Sequence, residues 1–198
     1  MSEAERLEEL WSGQFGAEYA ARNGPADRAI VWGSLLENRN ISTVLEVGCG
    51  GGNNLFSIEC NGVSPTGVYG IDIGENALIL AAKQYASFNR LYGKARDIPF
   101  KNKFFDLVFT CGVLIHQPEE SLLQVMSEIV RCSRKYVLCM EYFSETREEV
   151  PYRDQAGALF RDNYGKRYLD NFNLKLVETG FLAKEQGFDR ITYWLMEK

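Results

Sequence analysis

This 198-residue chain has one histidine, His116. A structural zinc site takes several imidazoles or thiolates at short spacings. The five cysteines, at 49, 60, 111, 132 and 139, show no such spacing and no disulfide framework. No metal is expected, and the thiols read as buried and reduced. No apolar run approaches the roughly 20 residues needed to cross a bilayer. The opening Met1-Ser2-Glu3-Ala4-Glu5-Arg6 is acidic and has no signal-peptide core. A cytoplasmic protein is expected, with no membrane partner. Basic charge is also short: 22 Lys and Arg stand against 27 Asp and Glu, for a net charge of −5. That argues against a general electrostatic grip on nucleic acid. Internal repeats, low-complexity tracts and Pro-rich linkers are missing, and the length suits one domain with a full core.

What the chain does have is a glycine turn behind an apolar strand, Val44-Leu45-Glu46-Val47-Gly48-Cys49-Gly50-Gly51-Gly52-Asn53-Asn54. Val44, Leu45 and Val47 favour a buried strand. The glycines tolerate φ > 0 and let a ligand approach the backbone. Free N–H groups at the next helix start make a polar, slightly positive cradle. A dinucleotide fingerprint wants its third glycine at position 53, which is Asn53 here; the glycines fall at 48, 50 and 52 instead. Glu46 lies two residues before the first. A carboxylate there is poor for a pyrophosphate and good for an amino-acid ammonium group. The stretch Val68-Tyr69-Gly70-Ile71-Asp72 ends a second strand in an acid, placed to accept from two ribose hydroxyls.

The pattern along the chain predicts alternating strands and helices. An amphipathic helix covers 3–22, broken near Gly13 and Gly16, and a second starts at Pro25 and runs through Leu35. Strands follow at 43–47, 68–72, 89–92, 105–110 and 136–142. Helices fall between them at 54–60, 75–87 and 119–131. A helix over about 156–170 precedes two strands, near 173–182 and 190–197, that read as an antiparallel pair. This is an α/β chain with a mostly parallel sheet and helices on both faces. Ligands in such sheets bind beyond the carboxyl ends of the strands. Glu46, Asp72, Thr110 and Glu141 all fall at such ends.

On these motifs the chain resembles the class I S-adenosylmethionine-dependent methyltransferases. Glu46-Val47-Gly48-Cys49-Gly50-Gly51-Gly52 looks like their first motif and Gly70-Ile71-Asp72 like their second. Ile98-Pro99-Phe100 and Phe104-Phe105-Asp106-Leu107-Val108 look like the third and fourth. A closer resemblance is to the bacterial group labelled pseudaminic-acid-biosynthesis-associated methylases. It is carried by Trp11-Ser12-Gly13-Gln14-Phe15-Gly16-Ala17-Glu18-Tyr19, Gly112-Val113-Leu114-Ile115-His116, Arg131-Cys132-Ser133, Glu141-Tyr142-Phe143 and Pro151-Tyr152-Arg153. The resemblance implies a doubly wound seven-stranded sheet of order 3-2-1-4-5-7-6. It implies S-adenosyl-L-methionine as cofactor, S-adenosyl-L-homocysteine as product, and a small-molecule substrate. A single domain then divides into an N-terminal helical cap (1–40), a cofactor-binding core (41–142), a substrate lid (143–170) and the C-terminal strand pair (171–198).

Expected cofactor residues are Glu46, Gly48, Cys49, Gly50, Gly52, Asp72, Ile73, Ala95, Arg96 and Cys111. Asn53 and Asn54 either cap the helix or bond the methionine carboxylate. Trp11, Phe15 and Tyr19 either pack in the core or cover the cofactor and exclude water from the sulfonium. Many relatives carry an adenine-binding acid just before Ala95. Lys94 stands there instead, which leaves adenine to the Ala95 backbone or to Asp97. Asp106 sits at the wrong end of its strand and reads as structural. His116 and Glu141 are the candidate catalytic residues, as general base or as substrate-orienting groups. Tyr142, Tyr152, Arg153 and Arg161 are the candidate substrate contacts, the arginines suiting an anionic group. The arginine-bearing stretch together with the family resemblance implies O-methylation of a small polar, anionic metabolite, such as a sugar acid, surface-glycan or natural-product precursor. N-methylation, a nucleotide-binding oxidoreductase and a non-catalytic binding protein are the competing readings. A monomer or a homodimer fits equally.

Overall fold

The computed structural model describes residues 1–198. Three helices come first: α1 (Glu3–Ser12), α2 (Gln14–Arg22) and α3 (Ala29–Leu36). α1 is started by Ser2. Its Oγ accepts the Glu5 N–H at 3.2 Å, and the Glu5 carboxylate accepts the Ser2 N–H at 2.9 Å. Gly13 parts α1 from α2, as the sequence suggests. α3 starts at Ala29, so Pro25 lies in the connection and not in the first helical turn.

Five strands follow: β1 (Val44–Val47), β2 (Val68–Asp72), β3 (Asn89–Tyr92), β4 (Phe105–Cys111) and β5 (Ser133–Glu141). The short β6 (Glu148–Glu149) and β7 (Phe160–Arg161) pair only with each other. β8 (Lys175–Leu182) and β9 (Ile191–Glu197) return to the main sheet. Its order is β3-β2-β1-β4-β5-β9-β8. With β6 and β7 set aside, this is the expected 3-2-1-4-5-7-6. The five strands β1–β5 are parallel; β9 joins β5 and β8 antiparallel. Helices α4 (Asn53–Cys60), α5 (Glu75–Gln84) and α6 (Glu119–Cys132) fill the crossovers. α5 ends at Gln84, three residues before the expected end.

The sheet separates two apolar layers. On one face α6 lays Leu122, Val125, Met126 and Ile129 against Leu45, Val108 and Val137. That spacing is one helical stripe. On the other face Trp32 and Leu35 of α3 join Leu55 and Ile58 of α4 against Val44, Phe109 and Leu138. β1 is buried along all four residues because it lies between both layers and two strands. The burial fixes its carboxyl end, and with it the glycine turn.

The expected 156–170 helix is not formed as such. The β6–β7 ribbon occupies its first part, and α7 covers only Tyr164–Asn171. Arg153 (φ 48) and Asp154 (φ 59) turn the chain in the left-handed region, as does Gly157. Asn163 then caps α7, its Oδ1 accepting the Lys166 N–H at 3.0 Å. No helix is long and apolar enough to cross a membrane.

Candidate active site

A cavity of about 680 Å³ opens at the carboxyl ends of β1, β2 and β4, under α1 and α2. Its size is that of a small-molecule site. The turn after β1 makes the floor. Gly48 has φ 74, and a Cβ there would come within 2.4 Å of Val113. Gly50 has φ 50, and a Cβ there would meet no protein atom within 4 Å. It would fill the cavity. Cys49 and Gly52 line the same floor.

Glu46 lies beneath this turn, 2% exposed. Its Oε1 accepts the Asn54 amide at 2.6 Å, while its Oε2 is buried with no partner. Burial raises its pKa to about 8, against the opposing effects of Asn54 and Arg28. A buried acceptor without a donor is costly. An ammonium group placed in the cavity would satisfy it, so the donor set fits the methionine end of S-adenosylmethionine. Asp72 accepts from the Gly50 N–H at 2.8 Å and the Gly74 N–H at 2.7 Å. Each oxygen keeps a lone pair for a ribose hydroxyl. Burial raises its pKa, and these backbone donors work against the shift.

Asn53 and Asn54 both line the cavity, and neither caps the helix. Gly52, not an asparagine, is the N-cap of α4, and no side chain caps it. Asn53 donates to the Gly24 carbonyl and accepts from Tyr85. Asn54 Oδ1 takes Arg28 Nη1 at 2.8 Å and Trp32 Nε1 at 3.1 Å. Their amides are therefore engaged by the protein, and Asn54 acts on the site through Glu46. Arg28, overlooked in the sequence, lines the cavity and ties three segments together. It also bonds the Gly187 carbonyl at 2.9 Å and lies 4.4 Å over the Phe188 ring. Nothing in the pattern around Pro25 singles it out.

Ile73, Ala95, Arg96 and Cys111 line the cavity. Lys94 and Arg96 are both drawn to Glu8 of α1, with Lys94 Nζ at 2.8 Å and Arg96 Nη2 at 2.9 Å from its carboxylate. The unusual lysine thus pairs with the N-terminal helix. Trp11 and Tyr19 line the cavity; Phe15 does not, and packs edge-on behind Trp11 at 5.3 Å.

His116 follows β4 on a short 3-10 turn, Leu114–His116, and lines the cavity beside Trp11 (4.3 Å between centroids) and Tyr152 (5.5 Å). Its Nδ1 lies 2.6 Å from the Ala158 carbonyl, which can only accept, so Nδ1 carries the proton and Nε2 a lone pair. Burial lowers its pKa to about 4, although the bond to Ala158 opposes this. At neutral pH it is an uncharged acceptor and a weak base. Glu141 is corrected more strongly. Its carboxylate is fully buried and lies outside the cavity lining, because the N–H groups of residues 113–115 take both oxygens. Burial raises its pKa to about 7 against those donors.

Tyr142, Tyr152 and Arg153 line the cavity; Arg161 does not. Arg161 sits on the ribbon, half exposed, 3.7 Å from Glu148. The hydroxyl of Tyr142 donates to Asp189 at 2.6 Å, which brings the β8–β9 loop into the site. Asp106 is structural: Ser42, Thr43 and Arg134 surround its carboxylate. Burial works against its charge, but those donors hold its pKa well below the usual carboxylate range. No group of three or more His, Cys, Asp or Glu residues is placed to hold a metal ion.

No curated protein matches the sequence. Residues 44–135 match the family model described as methyltransferase domain. Among solved structures, the magnesium protoporphyrin IX methyltransferase of Synechocystis PCC 6803 with bound S-adenosylhomocysteine aligns at TM-score 0.74 and 14% identity. The alignment covers 98% of this chain and 99% of that one. The phosphoethanolamine N-methyltransferase 1 of Haemonchus contortus, in complex with phosphoethanolamine and S-adenosylhomocysteine, aligns at 0.71 and 16%, over 100% of this chain and 50% of that one. The [4+2]-cyclase SpnF aligns at 0.71 and 11%, covering 98% and 96%. Residues 44–135 are thus similar to the methyltransferase domain family, and the whole chain has the fold of these solved structures.

Proposed function

We propose that the chain methylates an oxygen of a small polar metabolite that carries an anionic group. A sugar acid of the kind used in surface glycans is the model substrate. When bound, S-adenosylmethionine supplies an electron-poor methyl group for in-line displacement. Glu46 is assigned to its ammonium group, Asp72 to its ribose, and the Gly48–Gly52 turn to the close approach of the methionine tail. Ile73 and Ala95 border adenine. Trp11 and Tyr19 exclude water above the transferred methyl.

The observation that carries the substrate reading is Arg153. It lines the cavity from a left-handed turn, and its guanidinium meets only the Tyr152 ring, at 5.9 Å. A non-glycine residue at positive φ is uncommon and directs attention to the position. A free guanidinium suits a carboxylate or phosphate in fork geometry. His116 presents an uncharged Nε2, which suits orienting an acceptor and not deprotonating an alcohol. The acceptor oxygen is therefore one that needs little help, such as a carboxylate or an acidic hydroxyl.

The test is S-adenosylhomocysteine formation with N-acetylneuraminic acid and with phosphoethanolamine as probes. Turnover on the acid is expected, with KM raised at least tenfold in Arg153→Ala and kcat little changed. Turnover on neither, or a KM indifferent to Arg153, defeats the reading. N-methylation is the second reading, favoured by Asp189 beside the aromatic wall. Turnover on phosphoethanolamine alone would select it.

A further inference from the structure

Glu141 holds a carboxylate where packing alone would favour an apolar or amide side chain. It is fully buried, and no cation pairs with it; a charge in that position is expensive. What offsets the cost is a set of three donors from consecutive residues. Oε1 accepts the N–H groups of Val113 at 3.2 Å and Leu114 at 3.1 Å, and Oε2 accepts that of Ile115 at 3.3 Å. The next residue is His116. A carboxylate only accepts, so it can serve donors converging on both of its oxygens. A glutamine amide offers one acceptor oxygen and would aim its own N–H groups at the rest.

We propose that Glu141 is a positioning residue for His116. It fixes the backbone of residues 113–115 against β5, and that sets where the imidazole lies and which nitrogen faces the cavity. Two further ties run the same way. The Gly112 N–H donates to the Met140 carbonyl at 2.9 Å, and the His116 N–H to the Val113 carbonyl at 3.0 Å. With the loop fixed, Nδ1 meets the Ala158 carbonyl and Nε2 is left unprotonated. The ring's other neighbours, Trp11 and Tyr152, come from α1 and from the turn before β7. They pack against the ring but do not choose its tautomer, because neither is hydrogen-bonded to it. The inference rests on the reading of His116 as the acceptor-orienting group.

His116 is the only histidine, so its ring nitrogens give unambiguous signals in the full chain labelled with ¹⁵N-histidine. The wild type should show one neutral tautomer, protonated at Nδ1, at pH 8, where Glu141 is ionised. In Glu141→Gln the signals should move toward a mixture of tautomers and the titration toward the ordinary histidine range. S-adenosylhomocysteine, used as the binding probe, should still bind within about threefold, since Glu141 touches no part of that site. A folded Glu141→Gln that keeps the single Nδ1 tautomer overturns the proposal. If that variant fails to fold, Glu141→Asp is read in the same way, with a partial shift expected. Loss of fold in both overturns the proposal as well, because Glu141 would then be a general structural residue. None of these readouts needs the methyl acceptor, so a wrong substrate reading leaves their outcome unchanged.

Discussion

Replacing Glu46 by Gln tests the ammonium site and carries a built-in control. The side chain is buried, one oxygen is satisfied by Asn54, and the other has no donor. With its pKa at about 8, Glu46 holds a proton at pH 7 in the free protein. An ammonium group beside Oε2 favours the charged carboxylate, so binding should expel that proton. The sign follows directly. Below pH 8, each unit of acidity adds about 1.4 kcal/mol to the cost of ionising Glu46. Affinity for S-adenosylhomocysteine should then rise about tenfold per pH unit from 6 to 8. The ligand's ammonium group, beside a free carboxylate, stays charged across this window. A charged hydrogen bond is worth about 1.5–3 kcal/mol, which makes Glu46→Gln about tenfold to 150-fold weaker near pH 8. Its pH dependence should also be flat. Calorimetry in two buffers of different ionisation heat counts the released proton. Wild-type binding with no proton release, or a Gln variant that binds as tightly, refutes the reasoning.

Three other outcomes follow from the same geometry. Burial holds His116 at a pKa of about 4 in the folded chain against an ordinary 6.5. Its contribution is intact above 6.5 and is lost as pH falls toward 4, to a total of about 3 kcal/mol. Because buried Glu46 and Glu141 titrate in the opposite sense in both proteins, the readout is the difference: the urea-unfolding stability of the wild type relative to His116→Gln should fall by about 2 kcal/mol from pH 7 to pH 5. Glu8→Ala removes the tie between α1 and the Lys94–Arg96 loop. As a partly exposed pair it should cost no more than about 1 kcal/mol overall. Hydrogen exchange in residues 1–22 should nevertheless quicken, and S-adenosylhomocysteine should slow it again; unchanged exchange would show that α1 is held by its apolar contacts alone. Arg161→Ala should leave KM for any acceptor unchanged, since Arg161 lies on the ribbon and outside the cavity. A large rise in KM would return it to the site.

Much of this was legible in the chain, for identifiable reasons. The mostly parallel sheet and the turn at Gly48–Gly52 follow from long alternating elements and from glycines at positive φ, both local signals, while the strand order is implied by the family resemblance. The ends of β1 and β2 place Glu46 and Asp72 at the cavity, as expected of acids at strand tips. What failed depended on tertiary partners. The periodicity of 156–170 suggests one helix, but left-handed residues at 153, 154 and 157 and two-residue strands joined by a ten-residue connection leave no periodic trace. Glu141 stands at a strand end like the other acids. Only the fold reveals that the loop after β4 turns back over it and takes both oxygens. Asn54 looks like a cap until Arg28 and Trp32 arrive from 22–26 residues earlier. Arg28 and Asp189 come from connections whose sequences carry no motif at all.

A crystal structure of the chain with S-adenosylhomocysteine tests the central claim most directly. The ligand should lie across the carboxyl ends of β1 and β2. Its ammonium group should be within hydrogen-bond distance of Glu46 Oε2 and its ribose hydroxyls on Asp72. Its sulfur should face the space between His116, Tyr152 and Arg153. A ligand bound elsewhere, or one whose sulfur turns away from His116, would contradict the account.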